Sequence, residues 1–169
     1  MNRGSRQPRV HSQKLAVEGQ WREWRGSRGP RQAGSKLQRS FGESSTAAAA
    51  LMQGLAAAYA AQGDFAKSES TLLDAVRMYG TLYGSSDYRV TVPLGSLCRV
   101  YDQWDKPDKS EACHAQMVTM LEAQFGANSP ALVRDLDAEA QALRKLGRAE
   151  QAAKLEGRAQ SIQSSQSKP

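Results

Sequence analysis

The chain has 169 residues, of which 40% are apolar and only 7% aromatic, and alanine dominates the apolar set. This composition favours closely packed helices and is poor in strand formers, so it argues against a sheet protein. The formal net charge of +6 comes from residues 1–40, which hold ten basic residues against two acidic ones, whereas the rest of the chain is slightly acidic.

The first 42 residues are predicted to form a basic, mostly disordered tail. They are rich in Arg, Gly, Ser and Gln with little periodicity, so they cannot bury enough apolar surface to offset the entropy of ordering. Trp21 and Trp24 lie among arginines, a pattern suited to stacking on bases or anchoring at a membrane surface. A segment without selected function, or one that docks on the first helices, explains the same residues.

Helix signals begin at residue 43 and come in pairs. The polar residues 42–46 offer N-caps ahead of an alanine run that predicts a helix to about Gln62. Gly63 and Asp64 break this helix, and apolar residues at helical spacing predict a second one from Ala66 to about Tyr79. The result is an antiparallel helix hairpin with a short turn.

Two further hairpins are predicted along the chain. The turn of the second lies at residues 105–107, and that of the third lies at Gly147. The three units cover about residues 46–86, 87–128 and 129–162 of a predicted domain at 43–163, with the first helix of the second unit starting near Asp87. Residues 164–169 are expected to fray.

The same positions return at a step of 42 residues. Met52 is followed by Leu94 and Leu136, and the turn residue Gly63 matches Gly147 two steps later. The small residues Ala56, Cys98 and Ala140 and the large residues Tyr59, Tyr101 and Leu143 keep the same step. An internal repeat of this length indicates stacked units, none of which buries its apolar face alone.

The first unit carries a recognisable motif: Leu55, Ala56, Tyr59, Gly63, Phe65, Ser68, Leu72 and Ala75. This order of large, small, aromatic and turn residues resembles the tetratricopeptide repeat. The 42-residue period, with an extended linker before each new unit, is similar to the kinesin-light-chain-like variant. The resemblance covers about residues 46–162 and implies an all-α, right-handed superhelical stack of antiparallel helix hairpins.

The later units depart from the motif. In the second unit Asp105 stands at the turn glycine, Pro107 at the aromatic and His114 at a large apolar residue. In the third unit Glu139 and Glu156 occupy large apolar positions. A terminal repeat needs a polar outer face, so these acids fit a third unit that acts only as a capping hairpin.

The resemblance implies binding rather than catalysis, with the first helix of each unit lining a concave groove. The matching positions predict a groove lined by alanine in the first unit and by charged residues in the other two. At the charged end, basic residues are expected to pair with ligand carboxylates. Simple solvated helix faces explain the same residues. The predicted groove residues are Gln53, Ala57, Ala60, Arg99, Asp102, Gln103, Arg134, Asp137, Gln141, Arg144 and Lys145.

Few residues suggest other chemistry. Cys98 and Cys113 are too few for a disulfide framework, so buried thiols are expected. Their places on opposite helices of the predicted hairpin leave open a disulfide or a metal site with His114. His114 itself is interpreted as a half-buried structural residue, since no nucleophile or oxyanion donor accompanies it. We therefore expect no enzymatic activity, no metal and no cofactor.

The expected partner is a protein or peptide. Binding of nucleic acid or an anionic surface through the basic tail is the second hypothesis, and self-association through the ends of the stack is the third. No run of 18 apolar residues occurs, so no membrane span is expected. The alanine-rich run at residues 47–61 could resemble the apolar part of a signal sequence, but the repeat already accounts for its pattern. The expected location is therefore cytoplasmic.

Overall fold

The computed structural model describes residues 46–166. In this part of the chain six α-helices and two short 3-10 turns occur, and no strand is present. The predicted basic tail lies outside the described residues. The helices are α1 (Thr46–Ala61), α2 (Phe65–Tyr83), α3 (Thr91–Gln103), α4 (Pro107–Phe125), α5 (Val133–Lys145) and α6 (Ala149–Gln166).

Successive helices pack on one another in chain order, from α1 against α2 to α5 against α6. The pairs α1–α2, α3–α4 and α5–α6 form three hairpins, called units one, two and three. Each unit contacts mainly its neighbour, as in a linear repeat array. The prediction of an all-α stack of antiparallel helix hairpins is therefore confirmed.

The three hairpin turns are built alike. Gly63, Asp105 and Gly147 have positive φ angles of 76°, 53° and 74°. The amide of the next residue donates to the carbonyl four residues before the turn residue, as in Asp64 N–H to Tyr59 O at 2.9 Å and Arg148 N–H to Leu143 O at 2.9 Å. Only Asp105 carries a side chain in this left-handed conformation, at a cost of about 1 kcal/mol.

Repeat-related side chains occupy equivalent places in the core. Met52, Leu94 and Leu136 are all buried, and Tyr59 and Tyr101 have the same exposed fraction of 7%. Most of the buried apolar residues of units two and three belong to one cluster, which also contains Leu72 of unit one. The main core cluster therefore runs across both junctions between units.

The helix boundaries differ in detail from those predicted. Helix α3 begins at Thr91 rather than near Asp87, because Tyr88–Val90 forms a 3-10 turn in which the Asp87 carboxylate accepts from the Arg89 amide at 2.9 Å. A second 3-10 turn, Pro130–Leu132, precedes α5 in the same way. Helix α6 continues to Gln166, so residues 164–166, expected to fray, are helical.

The two cysteines form a disulfide, which corrects the expectation of buried thiols. Cys98 of α3 and Cys113 of α4 lie with their Cα atoms 5.4 Å apart, a separation typical of disulfide bonds. The bond closes a loop of 15 residues, and a loop of that length stabilises a fold by about 3 kcal/mol. Both residues are buried.

None of the helices between residues 46 and 166 combines the length and the apolar character that crossing a bilayer requires.

Candidate functional site

The predicted groove residues all lie on the first helix of a unit, which is α1, α3 or α5, and none of them is buried. Gln53, Ala60 and Asp137 are partly exposed and the other eight are exposed. Ala60 packs against the main core cluster. Unit one therefore presents short side chains at this face, whereas units two and three present polar and charged ones.

A hollow of about 220 Å³ lies where the turn of unit two meets α5. We call it the polar hollow. Three of the predicted groove residues line it, namely Asp102 from α3 with Gln141 and Lys145 from α5. The remaining lining residues are Tyr101, Lys106, Pro107, Ser110, Ala138 and Ala142.

The carboxylate of Asp102 is held in place by two hydrogen bonds from side chains of α4. It accepts a hydrogen bond from Ser110 Oγ at 2.5 Å and one from His114 Nε2 at 3.2 Å. Burial disfavours the ionised form, but the hydrogen bonds from His114 and Ser110 outweigh it and keep the pKa of Asp102 below its usual range. Because its side chain remains 43% exposed, Asp102 offers a fixed negative charge to the hollow.

His114 joins three helices. It lies on α4, is 4% exposed, and donates from Nε2 to Asp102 of α3 and from Nδ1 to Asp135 of α5, the latter at 2.9 Å. Burial alone would lower the pKa of His114, but its hydrogen bonds to the two carboxylates and their charges raise it to about 9. The imidazole is therefore protonated at neutral pH, and both ring nitrogens act as donors.

Asp135 is fully buried at the start of α5. Its carboxylate accepts from His114 and, through its other oxygen, from Arg134 Nη2 at 3.2 Å. Two charged neighbours thus compensate a carboxylate that would otherwise be costly to bury. Arg134, predicted to contact a ligand, is in this structure a partner of Asp135, although its side chain stays 75% exposed.

Two lysines bring positive charge to the polar hollow. Lys145 Nζ donates to Asp105 Oδ1 at 2.7 Å, and both side chains of this pair are exposed. Lys106 Nζ lies 5.4 Å from the centre of the Trp104 ring. Lys106 is exposed, and an exposed ion pair such as that of Lys145 is easily exchanged in water, so both ammonium groups can be reached from solvent.

The other predicted basic residues lie apart from the hollow. Arg144 donates two hydrogen bonds to Glu156 of α6, at 2.7 and 2.6 Å. Arg99 donates to Ser96 within α3 at 3.2 Å. The residues of the predicted charged end are therefore divided between one cluster at the hollow and arginines that lie apart from it.

Sequence reasoning missed the residues behind the hollow, above all Ser110 and Asp135, and treated His114 as half-buried. A signal was present in the repeat. The step of 42 residues places Asp135 at the position of Leu51 and Pro93, and His114 at the position of Leu72. These two departures from apolar positions mark His114 and Asp135 as unusual in the sequence, and the packing of α5 on α4 is what shows that they meet.

The hydrogen bonds of this cluster position side chains and do not activate the Ser110 hydroxyl as a nucleophile. The Ser110 hydroxyl donates to Asp102 rather than to His114, and both nitrogens of His114 are occupied by carboxylates. No base is thus aligned with a nucleophile here. Between residues 46 and 166 no group of three or more His, Cys, Asp or Glu side chains is arranged to hold a metal ion.

Comparison with known proteins identifies the fold. No protein-family model matches the sequence, and no curated protein matches it. The structure is similar to a crystal structure of nearly identical TPR-like repeats from Podospora anserina, in a protein assigned as a kinesin light chain, with a TM-score of 0.68 and 17% identity. The match covers 83% of this chain and 66% of that one. The chain therefore folds as a tetratricopeptide-like repeat solenoid.

Proposed function

We propose that this chain is a protein–protein interaction module whose groove, formed by α1, α3 and α5, binds a peptide or a partner helix. Tetratricopeptide-like repeats commonly serve as interaction scaffolds. The observation that carries the proposal is the polar hollow, where Asp102, Gln141 and Lys145 converge from two units. All three are groove positions of the repeat, and all three side chains are exposed.

The chemistry of the hollow favours a ligand segment that carries a carboxylate. Lys106 and Lys145 provide two ammonium groups, whereas Asp102 provides one carboxylate, which already accepts hydrogen bonds from Ser110 and His114. A ligand carboxylate, on an acidic side chain or at a chain end, would replace Asp105 as the partner of Lys145. The oxygen atoms of Asp102 and Gln141 remain as acceptors for ligand main-chain amides.

The alanine-rich surface of α1 would receive the rest of the ligand. Ala57 and Ala61 are exposed there and Gln53 is partly exposed. Short side chains leave room for bulky groups of a ligand without fixing their identity. Selectivity is therefore expected to come mainly from the polar hollow.

The test is to select peptides from a display library with the full-length chain and to measure their affinity. Replacing Gln141 and Lys145 by alanine should weaken binding of the selected peptides by about tenfold or more, because charge-assisted hydrogen bonds contribute more than 1.4 kcal/mol. The matched control replaces Lys154 and Gln160, exposed residues of α6, and should leave affinity unchanged. Equal affinity for the two variants would place the binding site elsewhere.

A second candidate function rests on the charge of residues 1–40, which contain ten basic residues and two acidic ones. Such a segment binds nucleic acid or another anionic polymer with strong salt dependence. Deleting residues 1–42 and comparing retention on immobilised heparin over a range of salt concentrations separates the hypotheses. Under the groove hypothesis the shortened chain still binds its selected peptides.

The disulfide bears on the compartment. The sequence favours the cytoplasm, but disulfides persist mainly in oxidising compartments. We therefore infer that a cytoplasmic chain would carry Cys98 and Cys113 as thiols, and that the bonded form belongs to an oxidising environment. Blocking free thiols at the moment of cell lysis and weighing the intact protein would decide between the two locations.

A further inference from the structure

Unit two departs from unit one at three positions of its hairpin. Asp105 adopts a left-handed conformation at the turn, where the other units have glycine. Proline 107 opens α4 where unit one has Phe65, and His114 stands where unit one has Leu72. The hairpin of α3 and α4 therefore lacks three features that hold unit one together.

The disulfide is found in this unit. The step of 42 residues places Cys98 at Ala56 and Cys113 at Thr71, so unit one has a small residue and a threonine at the positions that unit two joins covalently. A covalent bond thus joins the two helices of a hairpin that lacks those three features of unit one. Its sulfurs are shielded, since Cys98 is 0% exposed and Cys113 6% exposed.

The bond lies beside the residues that shape the polar hollow. Asp102 is one helical turn after Cys98 on α3, and His114 directly follows Cys113 on α4. The hydrogen bond from His114 to Asp102 therefore crosses between the same two helices as the disulfide. His114 then continues the connection to Asp135 on α5.

We propose that the groove is redox-dependent: the Cys98–Cys113 bond keeps α3 and α4 at the spacing that the hydrogen bonds of Asp102, His114 and Asp135 require. Reduction by a dithiol breaks the S–S bond. The two cysteine sulfurs take up two electrons and two protons from the dithiol, which closes to its own disulfide. The freed hairpin opens more often, and both the polar hollow and the contact with α5 loosen.

The burial of the two sulfur atoms determines how fast a dithiol can reduce the bond. A thiolate must reach one of the sulfurs to exchange with the disulfide. Because both are shielded, reduction requires α3 and α4 to separate first. The native chain is therefore expected to react slowly with a dithiol, and faster where mild denaturant promotes local opening of unit two.

The test compares three forms of the full-length chain by hydrogen exchange and mass spectrometry: oxidised, reduced with dithiothreitol, and the variant Cys98→Ala with Cys113→Thr. The variant carries the residues that unit one uses at these positions. We expect reduction to speed exchange in α3 and α4 by tenfold to a hundredfold, as removal of a 15-residue loop closure implies. Helix α5 should follow, and α1 should change least.

The variant serves as the control. It should exchange like the reduced chain and should not respond to dithiothreitol. Should the reduced chain exchange as slowly as the oxidised one, or should oxidised glutathione fail to join the two thiols in the folded chain, the proposal is wrong. This inference rests on the proposed function only for the role of the groove, and since no ligand enters the experiment, its outcome is independent of whether peptides bind.

Discussion

The two junctions between units are held together differently. Between units one and two, Tyr101 of α3 donates to Glu69 of α2 at 2.8 Å, and Lys109 reaches the same carboxylate at 2.6 Å. Between units two and three, His114 and Asp135 form a charged pair in which both side chains are buried. The first junction has its charges at the edge of an apolar contact, and the second has them inside it.

The difference shows how a repeat can acquire a specific contact. A buried ion pair contributes little net stability compared with apolar residues of similar volume, but removing one partner is costly. The pair in the second junction therefore favours one register of α5 on α4. It also orients Asp102, so the same histidine supports the junction and the proposed binding surface.

Replacing His114 by alanine should produce the largest change. Asp135 would remain buried with only Arg134 as a charged partner, and a cavity would form where the imidazole packs. We expect the free energy of unfolding to fall by about 3–5 kcal/mol. Chemical denaturation followed by circular dichroism measures this loss, and a loss below about 1 kcal/mol would contradict a buried charged pair.

The repeat itself supplies the variant that sharpens this comparison. Leu72 and Leu51 occupy in unit one the positions of His114 and Asp135. The double variant His114→Leu with Asp135→Leu should recover most of the stability lost in either single variant, because apolar replacement of a buried pair is often neutral. Additive losses would mean that the two residues do not interact.

The pH dependence of stability comes next in size. The pKa of His114 is about 9 in the folded chain and about 6.5 in an unfolded one. Protonated His114 therefore adds roughly 3 kcal/mol to the free energy of unfolding. This stabilisation is complete below about pH 6.5 and is lost as the pH rises towards 9. Denaturation midpoints measured from pH 6 to 9.5 should fall in the wild-type chain and stay level in the double leucine variant.

A smaller effect is expected at the first junction. Replacing Tyr101 by phenylalanine removes the hydrogen bond to Glu69 but leaves the ring in its contact, and Lys109 still pairs with the carboxylate. The free energy of unfolding should fall by about 1 kcal/mol. A loss as large as that of the His114→Ala variant would show that the two junctions are not different in kind.

The smallest effect on stability concerns the exposed arginines. Among the described residues Arg99 bonds only a serine in its own helix, and the ion pair of Arg144 with Glu156 is exposed. Changing both arginines to alanine should shift the melting temperature by about 2 °C or less, while weakening the binding of selected peptides. If the double variant unfolds instead, the groove assignment of these arginines is wrong.

The sequence predicted the fold because the repeat constrains it at many positions at once. Residues such as Met52, Leu94 and Leu136 recur at one step, and a stack of hairpins buries them all. The groove positions come from the family resemblance and stay a prediction. Which of them would meet at a hollow did not follow, because that depends on how closely α5 approaches the turn of unit two.

The hydrogen-bonded cluster of Asp102, Ser110, His114 and Asp135 could not be predicted from the residue pattern, for a physical reason. His114 and Asp135 each appear as a departure from an apolar repeat position, and a single departure is equally consistent with exposure to solvent. Only the packing of α5 on α4 brings the two together. The sequence could not decide whether Cys98 and Cys113 form a disulfide. A spacing of 15 residues places the two cysteines opposite each other without showing whether they are oxidised.

The sharpest test of a buried charged pair between units two and three is an NMR titration of the His114 imidazole in the folded chain. The only other histidine is His11, so the spectrum of the His114→Leu variant assigns the resonance. We expect the ring to stay doubly protonated through neutral pH and to titrate with a pKa of about 9. A pKa at or below about 6.5, the ordinary value for histidine, would show that no charged pair joins the second and third units.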